Sequence, residues 1–295
     1  MKKIIYAAGI IVFISTTFFL LNPLYFIPNH NSLIESYINE NSPYSIEFDS
    51  FDGNFIKGFI IHNLKVNSGD FLLSESNNIK FHPNFNSIIF NQFNFGKVEL
   101  DSGFVNLDIM KFNNTRISGK KSNSKIEIKN LNINNLTLVK DGKKYNVQSK
   151  ISLTLDELIN INIYDCIVSA DIWPYQLELK NGNLSYSENR LVLNNIDVTS
   201  KAGLFTLNGN YDLKNIFRSF GNITLNSLDI SEITGKRTYF EQFSFMMERI
   251  TTDSSLIKLI GKIEYDTINV EQIECSIGLK KDYSTVNGCD LYLFN

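Results

Sequence analysis

One pattern recurs five times in this chain and restricts its fold more than any other feature. In each copy an alternating apolar pair is followed by two polar residues and then by a second alternating apolar pair. Successive side chains of a strand point to opposite faces, so the polar pair shifts the apolar set by one position. A β-bulge there returns both apolar pairs to one face and bends the strand, whereas a tight turn would separate two short strands. The copies occupy residues 59–66, 131–138, 191–198, 223–230 and 263–270.

The remaining chain after residue 44 also alternates with a period of two, and Asn, Gly, Asp and Ser clusters separate the apolar runs. Helical spacing returns only near Asp212 to Phe220 and Phe240 to Glu248. We therefore predict an all-β fold with one elongated, strongly curved, mostly antiparallel sheet that forms an open groove. Closure into a packed barrel or sandwich would bury the same side chains and stays open as the alternative. The predicted groove lining consists of Leu131, Ile133, Leu191, Leu193, Ile196, Phe205, Leu207 and Leu225.

The N-terminus predicts a membrane anchor. Lys2 and Lys3 precede 18 uncharged residues, 4–21, which would span about 27 Å as a helix. No small-x-small cleavage site follows, which favours an anchor over a cleaved signal peptide. The two lysines place the N-terminus in the cytoplasm and the bulk of the chain in the periplasm, as a single-pass inner-membrane protein. The predicted anchor residues are Ile4, Ile11, Phe13, Phe18 and Leu21.

Three segments follow from these patterns. Residues 1–28 form the predicted transmembrane anchor, and residues 29–43 a short amphipathic helix that covers one end of the sheet. Residues 44–295 form the predicted periplasmic β-groove domain, with a sub-boundary near residues 112–125.

The composition excludes several functional classes. A net charge of −3 gives no basic excess for nucleic acid. The three histidines, His30, His62 and His82, stand at surface or turn positions, and no catalytic or metal-binding motif is present, so we expect no enzyme, cofactor or metal.

We interpret the cysteines as small buried hydrophobic residues, with a disulfide between Cys275 and Cys289 on adjacent strands as the alternative.

The order and spacing of strands and turn glycines resemble the N-terminal portion of the AsmA-like/TamB family. The resemblance covers residues 1–110 and, more loosely, residues 177–230. Its elements are the strand Tyr44 to Phe48, the Gly53 and Gly58 turn, the strand ending at Pro83, the strands Phe95 to Asp101 and Phe104 to Ile109, and the meander Asn183 to Leu213.

The resemblance implies an inner-membrane protein whose periplasmic groove moves phospholipid between membranes in envelope biogenesis. The implied partners are membrane lipids and other envelope proteins that extend the groove. The chain is shorter than typical members and lacks a counterpart of their C-terminal domain. Two other functions remain open: a lipopolysaccharide-shuttle component with a β-jellyroll, and a structural or adhesive envelope protein that binds no lipid.

Overall fold

The protein is mostly β-sheet. The computed structural model describes residues 15, 21, 23–26, 29–41, 44–84, 93–109, 125–156, 158–187, 189–251, 254–280 and 284–293. Strands account for 73% of the structure and belong to one mixed sheet of 18 strands, which confirms the all-β prediction. The chain divides into two compact units, Met1–Gln148 and Ser149–Asn295, which are described separately below. The predicted sub-boundary near residues 112–125 falls almost entirely outside the described residues.

The first unit, called unit 1, contains a 3-10 helix at Pro23–Phe26, α1 at His30–Asn41 and the first strands of the sheet. These strands are β1 (Ser45–Glu47), β2 (Ser50–Asn54), β3 (Gly58–Ser68), β4 (Phe71–Pro83), β5 (Phe93–Leu100), β6 (Gly103–Asn106) and β7 (Ile126–Lys140). Both β1 and β2 pair with β3, and β4 pairs with β3, β5 and β6. These pairs are antiparallel, but β5 and β6 run parallel to β7. The boundary between the units falls inside β8 (Lys143–Leu155).

The second unit, called unit 2, continues as an antiparallel meander. Its strands are β9 (Ile159–Ala170), β10 (Leu177–Ser187), β11 (Arg190–Ser200), β12 (Gly203–Asp212), β13 (Phe220–Asn226), β14 (Leu228–Asp229), β15 (Thr238–Thr251), β16 (Ser254–Tyr265), β17 (Ile268–Lys280) and β18 (Ser284–Leu293). A 3-10 helix at Ile216–Arg218 joins β12 to β13, and α2 (Ser231–Thr234) joins β14 to β15.

Helix α1 covers the edge formed by β1 and β2. Three of its side chains, spaced four residues apart, accept hydrogen bonds from strand backbone N–H groups: Asn31 from Phe51 (3.1 Å), Glu35 from Phe48 (3.1 Å) and Asn39 from Ile46 (2.7 Å). An uncovered edge would expose these donors to any other strand. The helix lies within the predicted range 29–43 and satisfies these donors with side chains instead of a neighbouring strand.

The predicted bulge occurs in the third copy of the repeated pattern. On β11, Leu193 lies opposite Gly209 and Ile196 opposite Leu207, so Asn194 and Asn195 together oppose a single residue. Asn195 adopts a left-handed conformation with φ of 50°, which Asn tolerates better than most residues. Leu193 and Ile196 then pack in one cluster although their sequence separation is odd.

The other copies differ from this one. Asn63 is left-handed inside β3, but the pairing of β3 with β4 keeps one register across His62 and Asn63, and Ser227 is left-handed between β13 and β14. The copy at residues 131–138 lies within β7. In the last copy Asp266 and Thr267 form the turn between β16 and β17, so the turn alternative applies there.

The helical interpretation of Phe240 to Glu248 is wrong, because these residues belong to β15. A register shift between Glu241 and Ser244, with left-handed Gln242, places Phe240 and Phe243 at helical spacing within a strand. Between Asp212 and Phe220 only the 3-10 helix Ile216–Arg218 forms.

The structure describes little of the predicted anchor. Ile4, Ile11, Phe13 and Phe18 lie outside the described residues, and Leu21 is helical and 40% exposed. Among the residues that are described, no helix has the length and apolar character needed to cross a membrane. The transmembrane segment therefore stays a prediction.

Candidate functional site

Apolar side chains form continuous rows across the strands of unit 2. Residues directly opposite each other on paired strands share a face of the sheet, and we call the side that carries these rows the apolar face. One row consists of Cys166, Leu179, Val198, Phe205, Leu225 and Phe243. The next consists of Ile163, Gly182, Ile196, Leu207, Ile223, Phe245, Leu259 and Cys275. The third consists of Ile161, Leu184, Leu193, Gly209, Gly221, Met247, Ile257 and Ile277. None of these residues carries a charge.

Five of the predicted lining residues belong to these rows, and Leu191 lies opposite Tyr211 beside them. Leu193, Phe205 and Leu207 pack around the small cluster that contains Ile196. Ile196 is almost fully buried, whereas the other predicted lining residues keep part of their side chains accessible. The structure therefore brings the six predicted lining residues of unit 2 onto one face.

Two glycines on neighbouring strands make room for an aromatic ring on the apolar face. A Cβ atom on Gly209 would lie 2.8 Å from the ring of Tyr211, and one on Gly221 would lie 2.6 Å from the Gly209 Cα. The Tyr211 hydroxyl donates a hydrogen bond to the Asn208 carbonyl at 3.3 Å. Burial raises the pKa of Tyr211, so its hydroxyl stays protonated. The neutral ring packs over the two glycines.

Unit 1 has its own apolar rows, which are partly aromatic. Leu131 lies opposite Val98, which lies opposite Phe81, and Ile133 continues the neighbouring row through Leu100. Phenylalanine rings stack in the pairs Phe51–Phe59 and Phe59–Phe81, with centroid distances of 5.4 Å and 5.7 Å. Phe95 meets Phe81 edge to face at 5.7 Å. Our sequence analysis did not assign these rings to the lining, because only the strand register brings them together.

Few apolar side chains are fully covered. Among the described residues only 13 apolar side chains are buried, although 43% of the chain is hydrophobic. A sandwich or filled barrel would cover most of its inward-facing side chains. The rows of unit 2 instead contain many side chains that are half-buried, which leaves apolar surface available for contact.

Polar side chains form a separate network across the strands of unit 1. His62 Nδ1 lies 2.8 Å from Asn78 Oδ1, the Asn78 amide donates to Asp101 at 3.3 Å, and Asn134 donates to the same carboxylate at 3.4 Å. Asp52 lies 3.7 Å from the His62 ring. These bonds join neighbouring strands of unit 1.

Burial and nearby charge change the pKa of two groups on β4 and β5. Burial lowers the pKa of His82, and Lys80 adds to the effect. Lys97 lies 2.5 Å from Glu99 and lowers the pKa of that carboxyl group. The His82 ring also lies against Gly58, where a Cβ atom would come within 2.7 Å of it. His82 is therefore a neutral packing residue at physiological pH, and it lies half-buried within β4 and not at the expected surface or turn position.

The cysteines serve two structural roles. Cys275 and Cys289 lie opposite each other on β17 and β18 and form a disulfide. Cys166 is free and half-buried, and burial raises the pKa of its thiol. A protonated thiol is a weak nucleophile, so Cys166 contributes to the apolar face as a small hydrophobic group.

A basic cavity lies at one end of β11 and β12. It has a volume of about 460 Å³ and is lined by Ser187, Asn189, Arg190, Asp212, Lys214, Asn215 and Arg218. The Asp212 carboxylate accepts hydrogen bonds from the backbone N–H groups of Lys214 (3.0 Å) and Asn215 (2.9 Å). These bonds, chiefly that from Asn215, lower the pKa of Asp212, so it stays ionised. Our sequence analysis missed this cavity because its cations are spread over the ends of three elements.

The described part of the chain contains no group of three or more metal-ligating side chains. What the site can do is bind apolar groups on one face and anions in the basic cavity. No protein-family model, no curated protein and no solved structure matches the chain.

Proposed function

We propose that this protein binds phospholipid acyl chains on the apolar face and handles or transfers phospholipid in envelope biogenesis. In this proposal the N-terminal segment anchors the chain in the inner membrane, and the sheet curves into an open periplasmic groove. The carrying observation is the set of three rows without a charged side chain, which cross up to eight strands of unit 2.

The physical argument rests on accessible apolar surface. Contiguous apolar surface in water is unfavourable unless a ligand or partner covers it. An acyl chain gains about 0.8 kcal/mol for each methylene that leaves water. It also needs no directional hydrogen bonds, which suits a face without polar side chains. The resemblance of residues 1–110 to the AsmA-like/TamB family supports the same proposal.

Adjacent residues on one strand provide matched variants for a test. Leu193 and Phe205 belong to the apolar face. Their neighbours point the other way: Val192 lies opposite Ser185 and Asn210, and Leu204 lies opposite Thr199 and Asn226. An aspartate at each position therefore adds the same charge to the same strand but to opposite faces.

The experiment is native mass spectrometry with lipid extraction on the full chain, purified in a mild detergent. We expect phospholipid with the wild type, Val192→Asp and Leu204→Asp, and at least a tenfold loss with Leu193→Asp and Phe205→Asp. Circular dichroism melts establish that each variant is folded. Absence of lipid from the wild type, or equal loss in all four variants, would contradict the proposal. Recovery of a glycolipid in place of phospholipid would favour the lipopolysaccharide-shuttle alternative.

A further inference from the structure

The basic cavity lies where the apolar rows end. Leu191 and Tyr211 form a directly opposed pair at this end of β11 and β12, and Arg190 and Asp212 form the next pair. β11 begins at Arg190 and β12 ends at Asp212. Because neighbouring strand residues alternate in face, the Arg190 and Asp212 side chains lie on the side of the sheet opposite Leu191 and Tyr211. The cavity is therefore a site at the strand ends, next to the connection that follows β12, and not an extension of the apolar face.

The described residues around the cavity carry more positive than negative charge. Among them, Arg190, Lys214 and Arg218 contribute three cations and Asp212 contributes one carboxylate. Both backbone N–H groups of the adjoining loop bond to one oxygen of that carboxylate, and the charges of Arg218 and Arg190 add to the lowering of its pKa. Guanidinium groups match the geometry of phosphate oxygens, and the cavity volume of about 460 Å³ suits a small ligand.

The connection that supplies Lys214 and Arg218 also exposes large apolar side chains. Leu213 is 61% exposed, Ile216 is 59% exposed and Phe220, which begins β13, is 50% exposed. Single exposed apolar residues are normal, but three of them within eight residues, interleaved with two cations, form an amphiphilic surface.

A second cavity in unit 1 serves as an internal contrast. It has a volume of about 290 Å³, and its charged lining residues are Asp49, Lys65 and Glu75. This cavity lies along the middle of β3 and β4, and its excess of carboxylates would repel an anion. The cationic lining therefore distinguishes the unit 2 cavity from the unit 1 cavity.

We propose that the cavity lined by Arg190, Lys214 and Arg218 binds the phosphate of an anionic phospholipid headgroup, with Leu213 and Ile216 beside its acyl chains. The proposal deepens the function proposed above and rests on it for the choice of phospholipid. A zwitterionic choline headgroup is disfavoured because its ammonium group would approach the same three cations.

Isothermal titration of the full chain in dodecyl maltoside tests this site. The probes are dihexanoylphosphatidylglycerol, dihexanoylphosphatidylcholine and inorganic phosphate, each below its micelle concentration where one exists. We expect phosphatidylglycerol to bind at least tenfold more tightly than phosphatidylcholine. The double variant Arg190→Gln, Arg218→Gln should weaken phosphatidylglycerol binding at least tenfold, whereas Arg249→Gln, an exposed arginine on β15, should change it less than twofold.

The exposed apolar side chains beside the cavity distinguish binding of a lipid from binding of free phosphate. Ile216→Ser should weaken phosphatidylglycerol binding severalfold and leave phosphate binding unchanged, and Ile250→Ser, which removes an equally exposed side chain on β15, should affect neither. Equal affinity for the two lipids, or wild-type binding by the double arginine variant, would overturn the proposal. Equal affinity for phosphate and phosphatidylglycerol, with no effect of Ile216→Ser, would make this a free-phosphate site. Failure of the proposed function would appear separately, as loss of the Leu193→Asp and Phe205→Asp effects on bound lipid.

Discussion

The two units fill their apolar rows with different side chains. In unit 1 stacked phenylalanines fill the rows, Phe59 is 6% exposed, and α1 covers the backbone edge of β1 and β2. In unit 2 the rows are mainly aliphatic, contain glycines, and include many half-buried side chains. Rings that stack on each other remove part of each other's apolar surface from water. Both sets of rows keep most side chains half-buried, and the buried cluster of Ile163, Ile196 and Val198 lies in unit 2. The difference between the units is therefore one of packing, by aromatic rings in unit 1 and by aliphatic side chains around a small buried cluster in unit 2.

The largest expected effect is the loss of stability when a phenylalanine ring is removed from the rows of unit 1, compared with removal of a ring from the rows of unit 2. Phe59→Ala removes a ring that contacts Phe51, Phe55 and Phe81, and should lower the free energy of unfolding by about 3–5 kcal/mol. Phe205→Ala, at a half-buried position in unit 2, should cost about 1–2 kcal/mol because less apolar area returns to water. Urea denaturation followed by circular dichroism measures both. Equal losses would remove the distinction between the units.

Both units contain an asparagine in the left-handed conformation within a strand, and substitutions there test how much that conformation contributes to stability. Asn195→Val should cost about 1–2 kcal/mol, because a β-branched residue is strained at a φ of 50°, whereas Asn195→Gly should be nearly neutral. At Asn63 in unit 1, where φ is 52°, valine should again cost more than glycine in thermal unfolding, but both should also lose the hydrogen bond from the Asn63 amide to Asp49 at 2.6 Å. Only the Asn195 variant should also reduce bound lipid. Lipid loss with Asn63→Val at retained fold would extend the binding face to unit 1.

Removal of one contact of the edge-covering helix should have a smaller effect. Asn39→Ala deletes the acceptor of the Ile46 N–H, at 2.7 Å, and a donor to the Ile46 carbonyl, at 3.3 Å. We expect a cost of about 1 kcal/mol and faster hydrogen–deuterium exchange in β1, with exchange in β11 unchanged. Ser36→Ala, which removes a bond within the helix itself, is the control. Unchanged exchange in β1 would show that the helix does not protect this edge.

The smallest effect concerns pH and should be confined to unit 1, since all three histidines precede residue 149. The pKa of His82 in the folded protein is below its ordinary value of 6.5, so the unfolded chain takes up this proton first. The His82 contribution to stability should therefore be complete above pH 6.5 and should decline as pH falls through 6.5. The measurement is the urea midpoint of the wild type minus that of His82→Gln, followed from pH 7.5 to pH 5. A difference that grows as the pH falls would contradict this prediction.

The alternating pattern is sufficient to predict the β-fold and which apolar side chains of unit 2 share a face, because side-chain direction in a strand follows from sequence position alone. A polar pair coincides with a bulge at Asn194 and Asn195 and with a turn at Asp266 and Thr267. Parallel pairing of β5 and β6 with β7 is not predictable this way, since parallel and antiparallel strands have the same period. The helical prediction for Phe240 to Glu248 is wrong because of a bulge. With Gln242 left-handed, Phe240, Phe243 and Met247 are three and four positions apart within a strand, which is also the spacing of a helix.

The remaining features depend on register, which a single sequence does not specify. The Phe51, Phe59 and Phe81 stack forms because β2, β3 and β4 pair in one particular alignment. The basic cavity likewise joins Arg190, at the start of β11, to Lys214 and Arg218, which follow β12. Arg190 is more than 20 positions from the other two residues, and no local motif links it to them.

Site-specific photo-cross-linking in cells tests the central claim most directly. Benzoylphenylalanine is placed at Phe205 on the apolar face and, in a second strain, at Leu204 on the opposite face of the same strand. The proposed function predicts a phospholipid adduct at position 205 and none at position 204. Adducts at both positions in equal yield, or at neither, would contradict a lipid-binding apolar face.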